Sequence, residues 1–195
     1  MYWFLIPLIL GFASNLASAF TTTYSVKWGK ANGTLISILL RDIFGIPLWA
    51  VGFVLAINGS SGMFYEVSLI LKITGWVIII AGGAIIVIAL VRIRTKAAAP
   101  STIDTLVRNG IYSRIRHPIH SGTFLEFIGV FILWPSIQVA IACTLGIIWI
   151  LLQTKLEEKD LVKRIPEYKE YKSMVPAFVP SFKKSPSLRS REGLG

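Results

Sequence analysis

The sequence predicts an all-α integral membrane protein with five transmembrane helices, and three observations support this fold class. The chain of 195 residues is 54% hydrophobic and only 15% charged, whereas about 25% of the residues in soluble domains are charged. Its apolar residues form stretches close to the length of about 20 residues that a helix needs to cross a bilayer. Most of its basic residues lie between or after these stretches.

Four apolar stretches can be read along the chain, and the last one divides into two spans. The stretches cover residues 3–20, 35–57, 67–91 and 118–152. The sequence WPS at 134–136 predicts a turn, because proline ends a helix, so spans four and five are expected to form a helical hairpin. The first stretch contains a possible signal-peptide cleavage site, but its start, MYWFL, lacks the basic residues of such peptides. We therefore interpret it as a span.

The distribution of positive charge predicts the topology. The net charge is +10, and the basic residues cluster at 27–30, 92–116 and 155–191, whereas the other two connections hold none apart from Lys72. With five spans, all three clusters lie on one side, which the positive-inside rule makes cytoplasmic. The amino terminus is then outside. We attribute the excess charge to topology and to anionic lipid headgroups, and we expect no nucleic-acid binding.

Residues 1–91 are predicted to be a transmembrane scaffold of three helices. Arg41 and Asp42 interrupt the second span, where charges are costly and usually paired. Because adjacent residues on a helix point about 100° apart, we expect them to pair with other helices rather than with each other, in a structural role. The single cysteine, Cys143, lies in an apolar run. It indicates neither a disulfide nor a metal cluster, and we interpret it as a core or lipid-facing residue.

A first polar cluster surrounds the predicted start of span four. Arg114, Arg116, His117 and His120 adjoin Pro118, a residue that suits the first turn of a helix. A helix start presents free N–H groups and a positive dipole end, so the pattern indicates a site for a carboxylate or a phosphate. A basic cluster that only contacts lipid phosphates is an equally supported interpretation.

A second cluster, Glu157 and Glu158, follows span five. The hairpin returns the end of span five to the membrane face where span four begins, so this acidic pair can approach the basic cluster. A network of salt bridges would explain both clusters. A ligand that carries both charges, such as an amino-acid moiety, would explain them equally, because a low-dielectric site makes such pairing selective.

The chain after span five carries a third cluster. Apolar residues continue at helical spacing up to Ile165, which predicts that the helix leaves the membrane as an amphipathic arm. Pro166 then ends this arm. Tyr168 and Tyr171 follow, and their rings are interpreted as interfacial anchors rather than as a surface for an adenine. Residues 183–195 are rich in Ser, Arg and Gly and are predicted to be disordered.

Together, the three clusters resemble the isoprenylcysteine carboxyl methyltransferase family over residues 104–180. The family pattern is LVxxGxYxxxRHPxYxG, a helical hairpin, EExxL, and EYxxYxxxVPxxxP. The matching positions in this chain are Leu106, Val107, Gly110, Tyr112, Arg116, His117, Pro118, Gly122, Glu157, Glu158, Leu161, Glu167, Tyr168, Tyr171, Val175, Pro176 and Pro180. His120 stands where the family usually has tyrosine, RIPEY replaces a longer stretch, and the chain has fewer spans than animal and fungal members.

The resemblance implies that residues 92–182 form a catalytic region with a cytoplasmic segment that binds S-adenosyl-L-methionine. It implies methyl transfer to the carboxylate of an isoprenylated cysteine or a similar lipid-linked acid, with Glu158 and Arg116 as catalytic residues. The implied cofactor-binding residues are Asp104, Thr105, Leu106, Val107, Tyr112, Arg116, His117, Pro118, Ile119, His120, Glu157, Glu158 and Tyr168. The expected partners are the prenylated substrate and membrane lipids, without a metal ion.

Two alternatives remain open. A phospholipid N-methyltransferase would act on an amine, and Glu158 or His120 would then remove a proton from it. A carboxylate needs no such base, because it is already ionised at neutral pH. A non-enzymatic transporter or scaffold is the other alternative, in which Arg41, Asp42 and Glu126 would line a polar path.

Overall fold

The protein is all-α wherever its structure, a computed structural model, is described, which is over residues 2–60, 62–93 and 106–180. The α-helices are α1 Leu5–Ser18, α2 Thr21–Trp28, α3 Lys30–Ile38, α4 Ile46–Asn58, α5 Leu69–Ile93, α6 Pro118–Leu133, α7 Ile137–Arg164 and α8 Tyr168–Met174. A π-helical segment, Leu39–Gly45, joins α3 to α4, and a 3₁₀ turn, Gly110–Ser113, precedes α6. The predicted tail at 183–195 lies outside the described residues.

Three helices in the described part of the chain are long and apolar enough to cross a membrane. They are Lys30–Asn58, which runs through α3 and α4, then Leu69–Ile93 and Ile137–Arg164. The helices α1 and α2 meet at an angle of 63°, and they make a fourth candidate if the bent pair counts as one span. The remaining apolar helix, α6, has 16 residues and a length of about 24 Å, less than the hydrocarbon core of about 30 Å. The count of five spans and the sidedness therefore stay predictions.

The predicted C-terminal hairpin is confirmed. Helix α6 ends at Leu133 and α7 begins at Ile137, so the turn falls on the WPS sequence. The hydroxyl of Ser136 accepts a hydrogen bond from the Val139 backbone N–H at 3.3 Å, which caps the first turn of α7. It also lies 2.7 Å from the hydroxyl of Ser60, after α4. Helix α7 continues without a break for 28 residues, so the predicted continuation of this helix is confirmed. Its exit from the membrane stays a prediction.

Glycines allow α5 and α6 to pack closely, as in other membrane helix pairs. A Cβ atom placed on Gly82 would lie 2.5 Å from the carbonyl oxygen of Gly122, and one on Gly129 would lie 2.7 Å from the carbonyl oxygen of Gly75. Both distances are too short for a methyl group. The two helices can keep this contact only while these positions have no side chain.

Gly82→Ala is therefore expected to lower the free energy of unfolding by about 1–3 kcal/mol, the usual cost of overpacking. Its neighbour Gly83 is the matched control, because a Cβ there would lie 3.6 Å from the Glu126 carboxylate, an ordinary contact. Gly83→Ala is expected to leave stability unchanged or to raise it, since alanine favours helices. Thermal unfolding in detergent measures both variants. Equal melting temperatures would contradict the close packing.

An aromatic core joins the N-terminal helices to the hairpin. Phe12 of α1 stacks on Trp149 of α7, with ring centroids 5.0 Å apart. Phe53 of α4 stacks on Phe127 of α6 at 4.9 Å. Cys143 is buried in the same cluster, and its thiol lies 3.3 Å from the Phe127 carbonyl oxygen. The interpretation of this cysteine as a core residue is thus confirmed.

Arg41 and Asp42 pair with each other, so the expectation that they would not do so was wrong. The Arg41 Nε and Nη2 atoms donate to the two Asp42 carboxylate oxygens at 2.8 and 3.0 Å. The two residues lie in the π-helical segment Leu39–Gly45, whose i→i+5 hydrogen bonds widen the turn. Adjacent side chains then point in more similar directions than on an α-helix. Arg41 and Asp42 can therefore form a bidentate ion pair along the helix surface.

Candidate functional site

Three parts of the chain converge at one end of the hairpin. They are the start of α6, the C-terminal part of α7, and residues 168–178, which include α8. The hairpin turn makes the first two parts neighbours, because a chain that leaves along α6 returns along α7. The loop at 165–167 then turns α8 back toward the start of α6. The three polar clusters predicted from the sequence lie on these parts.

The Glu158 carboxylate is the centre of the site. Its Oε1 atom accepts hydrogen bonds from Arg116 Nε at 2.9 Å and His117 Nε2 at 3.2 Å, and its Oε2 atom lies 2.7 Å from Lys172 Nζ. Glu158 is only 6% exposed, and a buried charge is tolerated when it is paired and hydrogen-bonded. These three nitrogen donors stabilise the ionised carboxylate. The expectation that the acidic and basic clusters meet is confirmed.

Arg116 also ties the chain after α8 to the start of α6. Its Nη1 atom donates to the backbone carbonyl oxygens of Lys172, at 2.8 Å, and Val175. Its backbone N–H donates to the Pro176 carbonyl oxygen at 2.9 Å, and the next N–H, that of His117, donates to the Ala177 carbonyl oxygen at 3.0 Å. Residues 175–178 therefore form a strap across the start of α6, and one arginine holds both the strap and Glu158.

The two histidines lie side by side at the start of α6, with His117 just before the helix and His120 in its first turn. The His117 and His120 rings are stacked, with centroids 5.5 Å apart and an angle of 8° between planes. The His120 Nδ1 atom lies 2.9 Å from the Thr154 hydroxyl, and His117 Nδ1 lies 3.7 Å from Glu157 Oε2. The side chain of Gln153 donates to the other Glu157 oxygen at 2.8 Å. The ring stack lies at the start of α6, and the other contacts cross from there to α7 or run along α7.

The tyrosines of the third cluster are buried, so their interpretation as interfacial anchors was wrong. Tyr168 and Tyr171 are 3% and 1% exposed and pack with Leu106 and other apolar residues. The Tyr171 hydroxyl donates to the Tyr112 carbonyl oxygen at 2.5 Å. Burial raises the pKa of Tyr171 to about 12 and raises the pKa of Tyr112 and of Tyr168. The three phenols are therefore neutral and able to donate hydrogen bonds at physiological pH.

Three residues that contact His120, Glu157 or Tyr171 each have a buried polar atom without a hydrogen-bond partner within the described ranges. These atoms are the Tyr112 hydroxyl, the Trp149 Nε1 atom and the Gln153 side-chain oxygen. Trp149 packs edge-on against His120, with ring centroids 6.1 Å apart. An unpaired buried polar group costs about 1–3 kcal/mol. A ligand that offers an acceptor to one of the first two groups, or a donor to the third, would remove that part of the cost.

The structure brings most of the predicted site residues together. Arg116, His117, His120, Glu157, Glu158 and Tyr168 form one connected cluster. Leu106 packs on the buried tyrosines, Pro118 is fully buried at the start of α6, and Val107 and Ile119 are half-buried nearby in the chain. Asp104 and Thr105 lie outside the described residues. Arg114 is exposed and takes no part in the contacts described above.

The sequence reasoning missed Lys172, Gln153 and Thr154. A signal for two of them was present: Gln153 lies four residues before Glu157, and Thr154 lies four residues before Glu158. This spacing places each pair on one helix face, so Gln153 and Thr154 could have been predicted as members of the site. Lys172 lies in a stretch with several lysines, and nothing in the sequence distinguishes it.

A comparison with models of known protein families shows which family the chain belongs to. The family model described as phospholipid methyltransferase matches residues 70–169, which is just over half of the chain and includes Arg116, His117 and Glu158. No curated protein and no solved structure matches the chain significantly. The matched family is related to the isoprenylcysteine carboxyl methyltransferases, so the resemblance seen in the motifs is confirmed. The chain belongs to the phospholipid methyltransferase family and is a membrane methyltransferase.

Proposed function

We propose that the protein uses S-adenosyl-L-methionine to methylate the carboxylate of an isoprenylated cysteine or a similar lipid-linked acid. The observation that carries this proposal is the single cluster of Arg116, His117 and Glu158, which offers both signs of charge within a few ångströms. The amino-acid end of the cofactor has both signs of charge. The sulfonium of the bound cofactor supplies the methyl group.

The cluster can bind such a zwitterion by exchange of partners. The ammonium of the ligand would contact Glu158, and its carboxylate would contact Arg116 and the histidines. The adenine would lie toward Leu106, Val107 and Tyr112, where the Tyr112 hydroxyl is buried without a partner among the described residues. Burial makes each of these charge contacts stronger than it would be in water.

A carboxylate substrate fits the chemistry of these residues. The nucleophile is already ionised at neutral pH, so the protein has only to exclude water from it and align it with the methyl group. The C–O bond forms as the C–S bond breaks, and no proton is transferred. Alignment of this kind contributes about 7–11 kcal/mol in favourable cases. A lipid tail in the bilayer would deliver the acid at the level of the α6 start.

Methylation of a phospholipid amine is the second candidate, and the family match favours it. An amine must lose a proton during methylation, so a base is needed. Glu158 is poorly suited, because three donors already bind its carboxylate. His120 is the better candidate, since its ring has one nitrogen beyond the one that contacts Thr154.

Two measurements test the proposal. Isothermal titration calorimetry with S-adenosylhomocysteine on the detergent-purified protein is expected to show binding, and no binding would remove the proposal. The enzyme is then given labelled cofactor with a farnesylated cysteine analogue or with phosphatidylethanolamine vesicles. A methyl ester on the cysteine analogue supports the carboxylate proposal. Methylation of the phosphatidylethanolamine alone would replace it with the amine reaction.

The membership in a methyltransferase family favours an enzyme over the transporter or scaffold alternative. Glu126, which that alternative placed on a polar path, lies against Gly82 and Gly83 of α5. His120 and Phe127, by contrast, contact α7. Glu126 is therefore on a different face of α6 from the proposed cofactor site.

Lys172 gives a prediction of its own, because its ammonium lies where the proposal puts the ammonium of the cofactor. It is 2.7 Å from Glu158 Oε2 and has to move before a ligand can take its place. An ion pair with an exposed lysine contributes about 0–1 kcal/mol, so Lys172→Met is expected to tighten S-adenosylhomocysteine binding by up to about fivefold. Lys169→Met, an exposed lysine on the same helix, is the control. Weaker binding by Lys172→Met would mean that the lysine holds the ligand instead.

A further inference from the structure

We propose that His117, His120 and Glu157 form a binding site for a divalent transition-metal ion, with Zn²⁺ as the preferred ion. One nitrogen of each histidine and one carboxylate oxygen of Glu157 lie within 4.8 Å of one another. No metal ion was expected from the sequence, in which the single cysteine indicates no metal cluster. Two histidines and one carboxylate are a ligand set of zinc enzymes, in which a fourth position remains open.

The distances allow these three residues to share one ion. Zinc bonds of about 2.0–2.2 Å in a tetrahedron separate the ligand atoms by about 3–3.5 Å. His117 Nδ1 and Glu157 Oε2 are 3.7 Å apart, close to that separation. The other separations in the group reach up to 4.8 Å, so the ligands have to move closer together when the ion binds. The Glu157 side chain is 35% exposed and can make this movement. His120 lies in the first turn of α6, three residues after His117, and its ring stacks on the His117 ring, which orients the two rings relative to each other.

The second ring nitrogen of each histidine already has an oxygen partner. His117 Nε2 lies 3.2 Å from Glu158 Oε1, and a carboxylate oxygen can only accept a hydrogen bond, so this nitrogen carries the hydrogen. His120 Nδ1 lies 2.9 Å from the Thr154 hydroxyl, an oxygen that can also accept. Histidines that bind metal ions usually donate their other N–H to such an oxygen, which orients the ring. The remaining nitrogen of each ring is then available to a metal ion.

The surrounding charges permit a cation here. Arg116 and Lys172 are balanced by Glu157 and Glu158, so the ion does not enter a region of net positive charge. The ion would use three residues that the proposed function gives to the cofactor, so Zn²⁺ and the cofactor are expected to compete. The binding of the ion itself does not depend on the proposed function, because it can be measured on the protein without cofactor.

Cobalt(II) is the probe for the site, since it replaces Zn²⁺ and absorbs visible light when protein ligands bind it in a low-symmetry site. The full chain is purified in detergent without a histidine tag, treated with chelator, and titrated with Co²⁺. We expect visible d–d bands that saturate at one ion per chain and disappear when Zn²⁺ is added. The absence of such bands, or bands that Zn²⁺ leaves unchanged, would overturn the proposal.

Matched variants locate the ion. His120→Ala and Glu157→Gln are each expected to weaken Co²⁺ binding by about a hundredfold or more, and Thr154→Val by about 10–100-fold, the usual effect of losing an outer partner of a ligand. Glu170→Gln removes an exposed carboxylate from α8 and is expected to bind Co²⁺ like the wild type. Melting temperatures of the metal-free proteins show whether each variant folds. Folded His120→Ala protein with unchanged Co²⁺ bands would overturn the site.

Competition with the cofactor separates this proposal from the proposed function. If Zn²⁺ binds at the site and S-adenosylhomocysteine also binds, saturating Zn²⁺ is expected to raise the apparent Kd of S-adenosylhomocysteine at least about tenfold. If Zn²⁺ binds but S-adenosylhomocysteine does not, the proposed function fails and the metal site stands. If S-adenosylhomocysteine binds but Co²⁺ gives no bands, the metal site fails and the proposed function stands.

Discussion

Glu158→Gln is expected to weaken S-adenosylhomocysteine binding by at least about a hundredfold, which corresponds to about 3 kcal/mol, and to abolish methyl transfer. The variant has nearly the same shape but lacks the negative charge that Arg116, His117 and Lys172 share. Removing one member of a buried ion pair costs about 3–5 kcal/mol, because the partner is left without a counter-charge. The cofactor's ammonium would lose its only strong acceptor in the proposed arrangement.

The measurement is calorimetry on detergent-purified protein, together with the melting temperature of the variant without ligand. Glu167→Gln is the matched control, because it makes the same chemical change at an exposed position beside α8, and it is expected to bind like the wild type. If Glu158→Gln is folded and keeps the wild-type Kd, Glu158 has only a structural role. The proposed position of the cofactor would then be wrong.

Arg116→Lys is expected to lower the free energy of unfolding by about 2–3 kcal/mol, from the loss of two or three hydrogen bonds to a charged group, and to reduce activity about a hundredfold or more. The charge remains, but the forked guanidinium does not. Arg116 contacts Glu158 through Nε and Nη2 while its Nη1 donates to the Lys172 and Val175 carbonyl oxygens. A lysine ammonium is a single point of charge and cannot reach both sides at once.

Without the hydrogen bonds from the Arg116 guanidinium, the strap at residues 175–178 is expected to detach from the start of α6. Limited proteolysis should therefore cleave the Arg116→Lys variant there faster than the wild type. Arg114→Lys is the matched control two residues earlier, at an exposed position, and it is expected to resemble the wild type in activity and in proteolysis. Wild-type activity and an uncleaved strap in Arg116→Lys would show that charge alone is required at this position. In that case the forked geometry would not be needed.

The hydropathy of the chain predicted where most of the helices lie, but not where a helix bends or changes its hydrogen-bonding pattern. The hairpin at 134–136 was predicted correctly because proline and serine end one helix and begin the next, which is a local effect. The bend of 63° between α1 and α2 and the π-helical segment at Leu39–Gly45 were not predicted. The hydroxyl of Ser14 in α1 donates to the Leu40 carbonyl oxygen at 2.7 Å. A side chain of another helix thus provides a hydrogen bond to the backbone of the π-helical segment. No pattern within that segment shows this.

The sequence by itself determined that this protein is helical, that it is rich in membrane-length apolar segments, and that the polar clusters of the candidate site lie after residue 92. These properties follow from composition and spacing, which act over a few residues. Only the tertiary structure decided that Lys172 joins the predicted residues, that Tyr168 and Tyr171 are buried, and that Arg41 pairs with Asp42. Each of these depends on which side chains meet across separate helices or on the local shape of one helix. Those contacts are set by packing in three dimensions, and the order of residues along the chain does not record them.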